Sequence, residues 1–216
     1  MLPENVEDLP YAAALSPHPG PLSAGETYEC AHFDGLALDD PQAAGTRFLE
    51  CAFTKVSISG GQLRRARFSD VWLSGVRLTA AELADTSWSD AAILGSVAAG
   101  VSAHGSQLRR VTFRHCKLDG VSFREATLTD VSFDDCLLRG VDFGGATLQR
   151  CTFPGSQLRE TDFSRVTLKS VDLRGAELGL IITPGSLSGA IISTAQLTVV
   201  APLLAEQAGI VVEDAR

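Results

Sequence analysis

Aromatic residues make up only 6% of this 216-residue chain, with two Trp, two Tyr and a single Met. Positive charge is also scarce: 18 Lys and Arg stand against 26 Asp and Glu, a formal net charge of −8. Proteins that grip nucleic acid through its phosphates normally carry a basic excess, so no direct nucleic-acid binding is expected. No apolar run approaches the ~18 residues that suggest a spanning helix, so no membrane association is expected. The opening residues lack the basic and apolar stretches of a secretory leader and read acidic instead (Glu4, Glu7, Asp8). The expected location is therefore cytoplasmic. No Gly-x-Ser-x-Gly elbow, phosphate loop or dinucleotide fingerprint occurs. His18, His32, His104 and His115 show no ligand spacing with Asp, Glu or Cys. No catalytic residue, metal or cofactor is expected, and the chain does not read as an enzyme.

What is present is a period of five. All ten Phe (33, 48, 53, 68, 113, 123, 133, 143, 153 and 163) leave the same remainder on division by five, a coincidence of about one in two million. From Tyr28 to Leu178 that class holds 31 central positions: ten Phe, fourteen Leu, two Ile, one Trp, one Tyr and three Ala. The position two before most centres is small or β-branched, as at Ala66, Val71, Val121 and Cys136. Fifteen of the twenty Gly have numbers divisible by five.

Neither regular element keeps every fifth residue on one side. On a helix, five steps displace the side chain by about 140° from the starting face. On a straight strand, an odd period flips it to the opposite face. A chain that turns once per quintet around an axis satisfies the pattern, with glycine at corners that need positive φ. From Phe113 to Leu168 the centres alternate strictly between Phe and Leu. A four-sided coil of about twenty residues turns this alternation into uniform stacked columns at the ~4.8 Å strand spacing; a three-sided coil would mix them.

The runs VSFREATLTDVSFDDCLLRGVDFGGATLQRCTF (121–153) and TDFSRVTLKSVDLRGAEL (161–178) resemble the pentapeptide-repeat family, whose consensus is roughly A-(D/N)-L-x-x. The Ala of that consensus, two before centre, is often Val or Cys here. The resemblance extends over about 28–197. It implies an all-β solenoid, a right-handed quadrilateral β-helix of pentapeptide repeats, with a short C-terminal helical cap. Thirty-one repeats at four per coil make about 7.75 coils, a rod roughly 37 Å long at the strand spacing.

Residues 1–27, with Pro3, Pro10, Pro17, Pro19 and Pro21, read as an N-terminal arm or cap, to which Leu9, Tyr11 and Leu15 contribute contacts. After Leu178 the five-step returns out of phase at Ile182, Leu187, Ile192 and Leu197. Ser193-Thr194-Ala195-Gln196 is a capping box that opens a helix, and Pro202 points to a kink or a second helix start. Leu197, Val200 and Leu204 share one predicted face. Residues 198–216 are expected to form a helical cap or a dimerisation segment, with Leu197, Val200, Leu203 and Leu204 as the dimerisation candidates. End-to-end pairing through this segment is what the resemblance implies.

Cys51, Cys116, Cys136 and Cys151 fall on the small inward class and read as packing residues, whereas Cys30 points outward without an obvious partner. A centreline filled by Phe and Leu predicts no interior pocket, with Ala98 and Ala103 marking a thin coil near 96–107. On the surface, Trp72 sits one before a centre, and Arg64 and Arg65, with Arg109 and Arg110, form basic clusters. These five residues are the candidate partner-binding positions. The function expected is that of a non-enzymatic protein-interaction scaffold with an unknown protein partner. The resemblance also implies an alternative, a DNA mimic that binds DNA gyrase or another topoisomerase and modulates or protects it against quinolones or toxins. Mimicry requires dense negative charge along the rod, yet 28–178 holds nineteen acids and seventeen bases.

Overall fold

The computed structural model describes residues 2–213. Between Thr27 and Ile181 the chain winds as a parallel β-helix in which each strand pairs with the strand twenty residues on. One column of centres therefore holds Tyr28, Phe48, Phe68, Trp88, Leu108, Leu128, Leu148 and Leu168, one residue per coil. The twenty-residue register makes the coil four-sided, as the Phe and Leu alternation predicts. The Tyr28 and Phe33 sides share one sheet because two longer strands, Ser87–Leu94 and Gln107–Arg114, run round the corner between them. The Leu38 side forms a second sheet. The fourth side is held by single bridges such as Gln42 to Gln62 and Gln62 to Glu82.

The inward residues form stacked columns. The Phe113, Phe133 and Phe153 rings lie parallel with centroids 4.8 and 4.9 Å apart, and Phe143 meets Phe133 edge-on from the opposite side at 6.2 Å. Backbone ladders fix the coil spacing: the Gly35 N–H donates to the Thr54 carbonyl and the Ser57 N–H to the Leu36 carbonyl, each at 2.8 Å. The corners correct the expectation that positive φ selects glycine. Every multiple of five from Gly25 to Gly175 has positive φ, including Cys30, Glu50, Arg110 and Glu125. The left-handed conformation costs a side chain about 1–2 kcal/mol, which the inter-coil hydrogen bonds and the buried centres override.

The filled-core expectation also needs correction. Phe133 to Phe163 are wholly enclosed, but the coil bearing Ala98 and Ala103 leaves an apolar cavity of about 60 Å³. Alanine there occupies centres where the C-terminal coils carry leucine or phenylalanine.

Both ends of the rod are covered. At the first coil, Ser16–Pro17 pairs with Ala31 and His32, and the His18 ring packs against Tyr28 and Phe33, with centroids at 4.9 and 5.0 Å. At the other end, Leu158 pairs with Leu178 but Thr161 pairs with Leu180. This one-residue contraction is the phase break seen in the sequence. Gly179 marks it, because an added Cβ would stand 2.7 Å from the Leu158 carbonyl oxygen.

Helix α1, Thr194–Gln207, then closes the end. Ser193 Oγ accepts from the Gln196 N–H at 3.2 Å, and the Gln196 side chain accepts from the Ser193 N–H at 2.9 Å, completing the capping box. The buried Gln196 amide donates to the carbonyls of Leu173 and Ala176 at 2.6 and 2.8 Å, two acceptors left without a following coil. The helix starts four residues before the boundary placed at 198. Pro202 lies inside this single helix and breaks nothing; it is exposed, so the carbonyl it leaves unpaired faces water. The face that meets the rod is Gln196, Val200 and Leu203, one position round from the predicted Leu197, Val200 and Leu204 stripe.

Candidate interaction surface

The outer positions flank each centre and stack every twenty residues, so a side chain's neighbours are set by coil register. On the Phe33 side, Ala52, Trp72 and Ala92 lie one above another. The two alanines leave room for the indole between them. Trp72 is outside the coil, as its position predicts, yet it is only 3% exposed. Residues of the N-terminal arm cover it: Leu9 is buried against it, with Val6, Tyr11 and Leu15 packed around. The indole N–H donates to the Pro3 carbonyl at 3.2 Å, and the Tyr11 hydroxyl donates to the Cys51 carbonyl at 3.4 Å. Burial pushes the Tyr11 hydroxyl well above its ordinary pKa. The view of Trp72 as a free partner anchor is thereby corrected: two short 3₁₀ turns, Val6–Asp8 and Ala12–Ala14, belong to the arm that occupies it.

The arginines divide into two groups. Arg64 is tied to Glu82 at 3.1 Å and Arg124 to Asp142 at 2.9 Å. Arg110 grips Asp90 and Arg139 grips Asp119, one coil apart in each case, and Arg150 binds Asp130 at 2.6 Å. The arginine hydrogen bonds hold Asp90, Asp119 and Asp130 below the usual carboxylate range. Of the four arginines singled out in the sequence, Arg64 and Arg110 are thus spent within the rod. Arg65 and Arg109 form no ion pair among the described residues, although Arg109 is near enough to help lower Asp90 and Asp130.

The register places Arg109 between Ser89 and Thr129, on the same side of the rod as three other cations. Arg47 is the pairing partner of Arg67 on the Tyr28 side, and Arg109 and Lys169 project from the same side further along. All four are exposed. Glu29 is the sole acid among the strand positions flanking these centres. The signal for Arg47 and Arg67 was present in their separation of twenty, which stacks like charges at strand spacing.

Cys51, Cys116, Cys136 and Cys151 are buried packing residues in the structure, and all five cysteines are free thiols. Burial pushes Cys51 and Cys151 up to about 11. Contact with Cys116, together with burial, drives Cys136 upward as well. Cys30 does have a partner, its Sγ lying 3.5 Å from a Glu50 carboxylate oxygen in the next coil. Among the described residues no group of three or more His, Cys, Asp or Glu gathers as a metal site, and no helix is long and apolar enough to cross a membrane.

The family model described as a pentapeptide repeat region matches residues 106–181. That stretch is a pentapeptide-repeat region. The coil geometry carries the repeat beyond the matched span, back to Tyr28. No curated protein matches the chain. Among solved structures it is similar to a trypsin-treated variant of QnrB1, a plasmid-mediated fluoroquinolone resistance protein. That match has 20% identity and a TM-score of 0.44 over 87% of this chain and 99% of that one. It is also similar to HetL, a pentapeptide repeat protein involved in heterocyst differentiation regulation in the cyanobacterium Nostoc. There the identity is 17% and the TM-score 0.46, over 83% of this chain and 91% of that one.

Proposed function

We propose that this pentapeptide-repeat rod is a non-enzymatic protein-interaction scaffold whose partner docks an acidic surface on the Tyr28 side. The supporting observation is the unpaired quartet Arg47, Arg67, Arg109 and Lys169, standing on one flat side of a chain whose net charge is −8. Elsewhere six arginines, Arg64, Arg110, Arg114, Arg124, Arg139 and Arg150, are paired with acids of neighbouring coils, and the apolar part of the Phe33 side is occupied by the arm. Charge on a flat surface of this kind sets orientation and association rate more than raw affinity. Five free thiols suit a reducing compartment, and we place the protein in the cytoplasm.

Action on gyrase through DNA mimicry requires acids free to compete for a basic groove. Many acids of this rod are instead engaged by arginine, which favours the scaffold reading. The two readings separate experimentally. A partner recovered from the host with the intact protein is expected to be lost with the R67E/R109E double variant and kept with Arg159→Glu on the Leu38 side. Retention by the double variant would remove the proposal. Salt-dependent inhibition or protection of gyrase supercoiling would install mimicry in its place.

We also propose that two rods pair through the exposed flanks of α1. Val200, 1% exposed, and Leu203 are committed to the rod end, whereas Leu197, 48% exposed with Leu204 beside it, stands on one flank of the helix and Val199, 61% exposed, on the other. Light scattering is expected to give twice the mass of one chain for the intact protein and the mass of one chain for the L197E/V199E variant. A single-chain mass at all concentrations would discard pairing.

A further inference from the structure

The cavity at the thin coil is a consequence of two consecutive alanine centres. Ala98 and Ala103 sit between Leu78 and Leu83 in the coil before and Leu118 and Phe123 in the coil after. In an ordinary core, neighbours relax into such a gap and shrink it. Here they are held apart. Val97–Ala99 pairs in full register with Arg77–Thr79 on one side and Lys117–Asp119 on the other, and Ser102 bridges both Glu82 and Ser122. The ladders fix the coil spacing whatever the centres contain. The void of about 60 Å³ adjoins a second of about 20 Å³, the two sharing Leu73, Val76, Leu78, Leu83 and Trp88 as walls.

The lining offers water nothing. Its polar groups are already committed: the Ser96 hydroxyl donates to the Leu94 carbonyl at 2.9 Å and accepts from the Val76 N–H at 3.0 Å. The Trp88 indole N–H donates to Thr86 Oγ1 at 3.0 Å, and the Cys116 thiol to the Ile93 carbonyl at 3.2 Å. A buried water needs two to four polar partners, whereas an apolar guest needs only surface to touch. The volume lies above the ~10–15 Å³ that admits one water-sized body and below the ~150 Å³ of an apolar cavity known to take benzene.

We propose that the fourth coil is a dry binding site for small apolar molecules of a few heavy atoms, such as dissolved gases and short alkanes. Xenon is the probe. In methyl-resolved NMR of the full chain, xenon titration is expected to give saturable shifts at Leu78, Leu83, Ile93, Val101 and Leu118. No comparable shift is expected at Leu138, Leu148 or Leu158, where the core is filled. Ala103→Leu is expected to weaken the xenon response at least ten-fold while the methyls of the C-terminal coils keep their positions. Ala98→Val serves as the milder filling substitution if the leucine disturbs folding. Shifts spread evenly over all methyls, a response untouched by either filling substitution, or no response at all would each overturn the proposal.

Discussion

Replacing Phe133 with alanine is expected to cost about 3–5 kcal/mol of unfolding free energy, the upper range for a buried aromatic. Phe133 is fully enclosed, stacked between Phe113 and Phe153 and met edge-on by Phe143. The cost arises from lost transfer energy plus the cavity left behind, and the inter-coil ladders prevent that cavity from closing. Phe123 supplies an internal comparison. It already lines the existing void, so its ring has fewer neighbours to lose, and Phe123→Ala is expected to cost measurably less. Urea unfolding followed by circular dichroism gives both values, and an unchanged slope would show that each substitution acts on the folded rod. Equal costs at the two positions would mean that the core repacks freely, contrary to a coil spacing held rigid by the ladders.

The same rigidity explains what the amino-acid sequence reveals and what it conceals. A period of five calls for a chain that turns once per quintet, and the Phe and Leu alternation from Phe113 to Leu168 favours four sides, so the coil, its inward columns and the phase break after Leu178 were all legible. Ser193 and Gln196 announced the helix because a capping box is a local interaction. The surface was less legible, since outer neighbours are twenty residues apart. Arg64 and Arg65 are adjacent in sequence, but Arg64 turns to Glu82 on the next coil while Arg65 does not, and Arg47 belongs with Arg67. Trp72 was correctly placed outside, yet its burial depends on Leu9 and Pro3, more than sixty residues away, and no periodicity reports such a contact. The helix face moved by one position because Gln196, a polar residue, was the better plug for a coil end with open carbonyls.

Trp72→Ala is expected to release the N-terminal arm. The indole is the largest side chain in the arm's interface, and truncating a buried Trp costs about 3–5 kcal/mol where the surroundings stay packed. The arm has no core of its own, only two turns of three residues, so the loss is bounded by the arm's docking energy and falls locally. Amide exchange at Leu9, Ala12 and Leu15 is expected to accelerate sharply, while Phe133, Leu138 and Phe143 keep their protection. A cycle with a chain lacking residues 2–15 isolates the contact. With the arm absent, Trp72 lies on an open surface and Trp72→Ala is expected to be nearly neutral, leaving a coupling of about 2–3 kcal/mol, the upper part of the range for residues in contact. Additive effects would mean that the ring stabilises the coil by itself, between Ala52 and Ala92, and that the arm merely rests upon it.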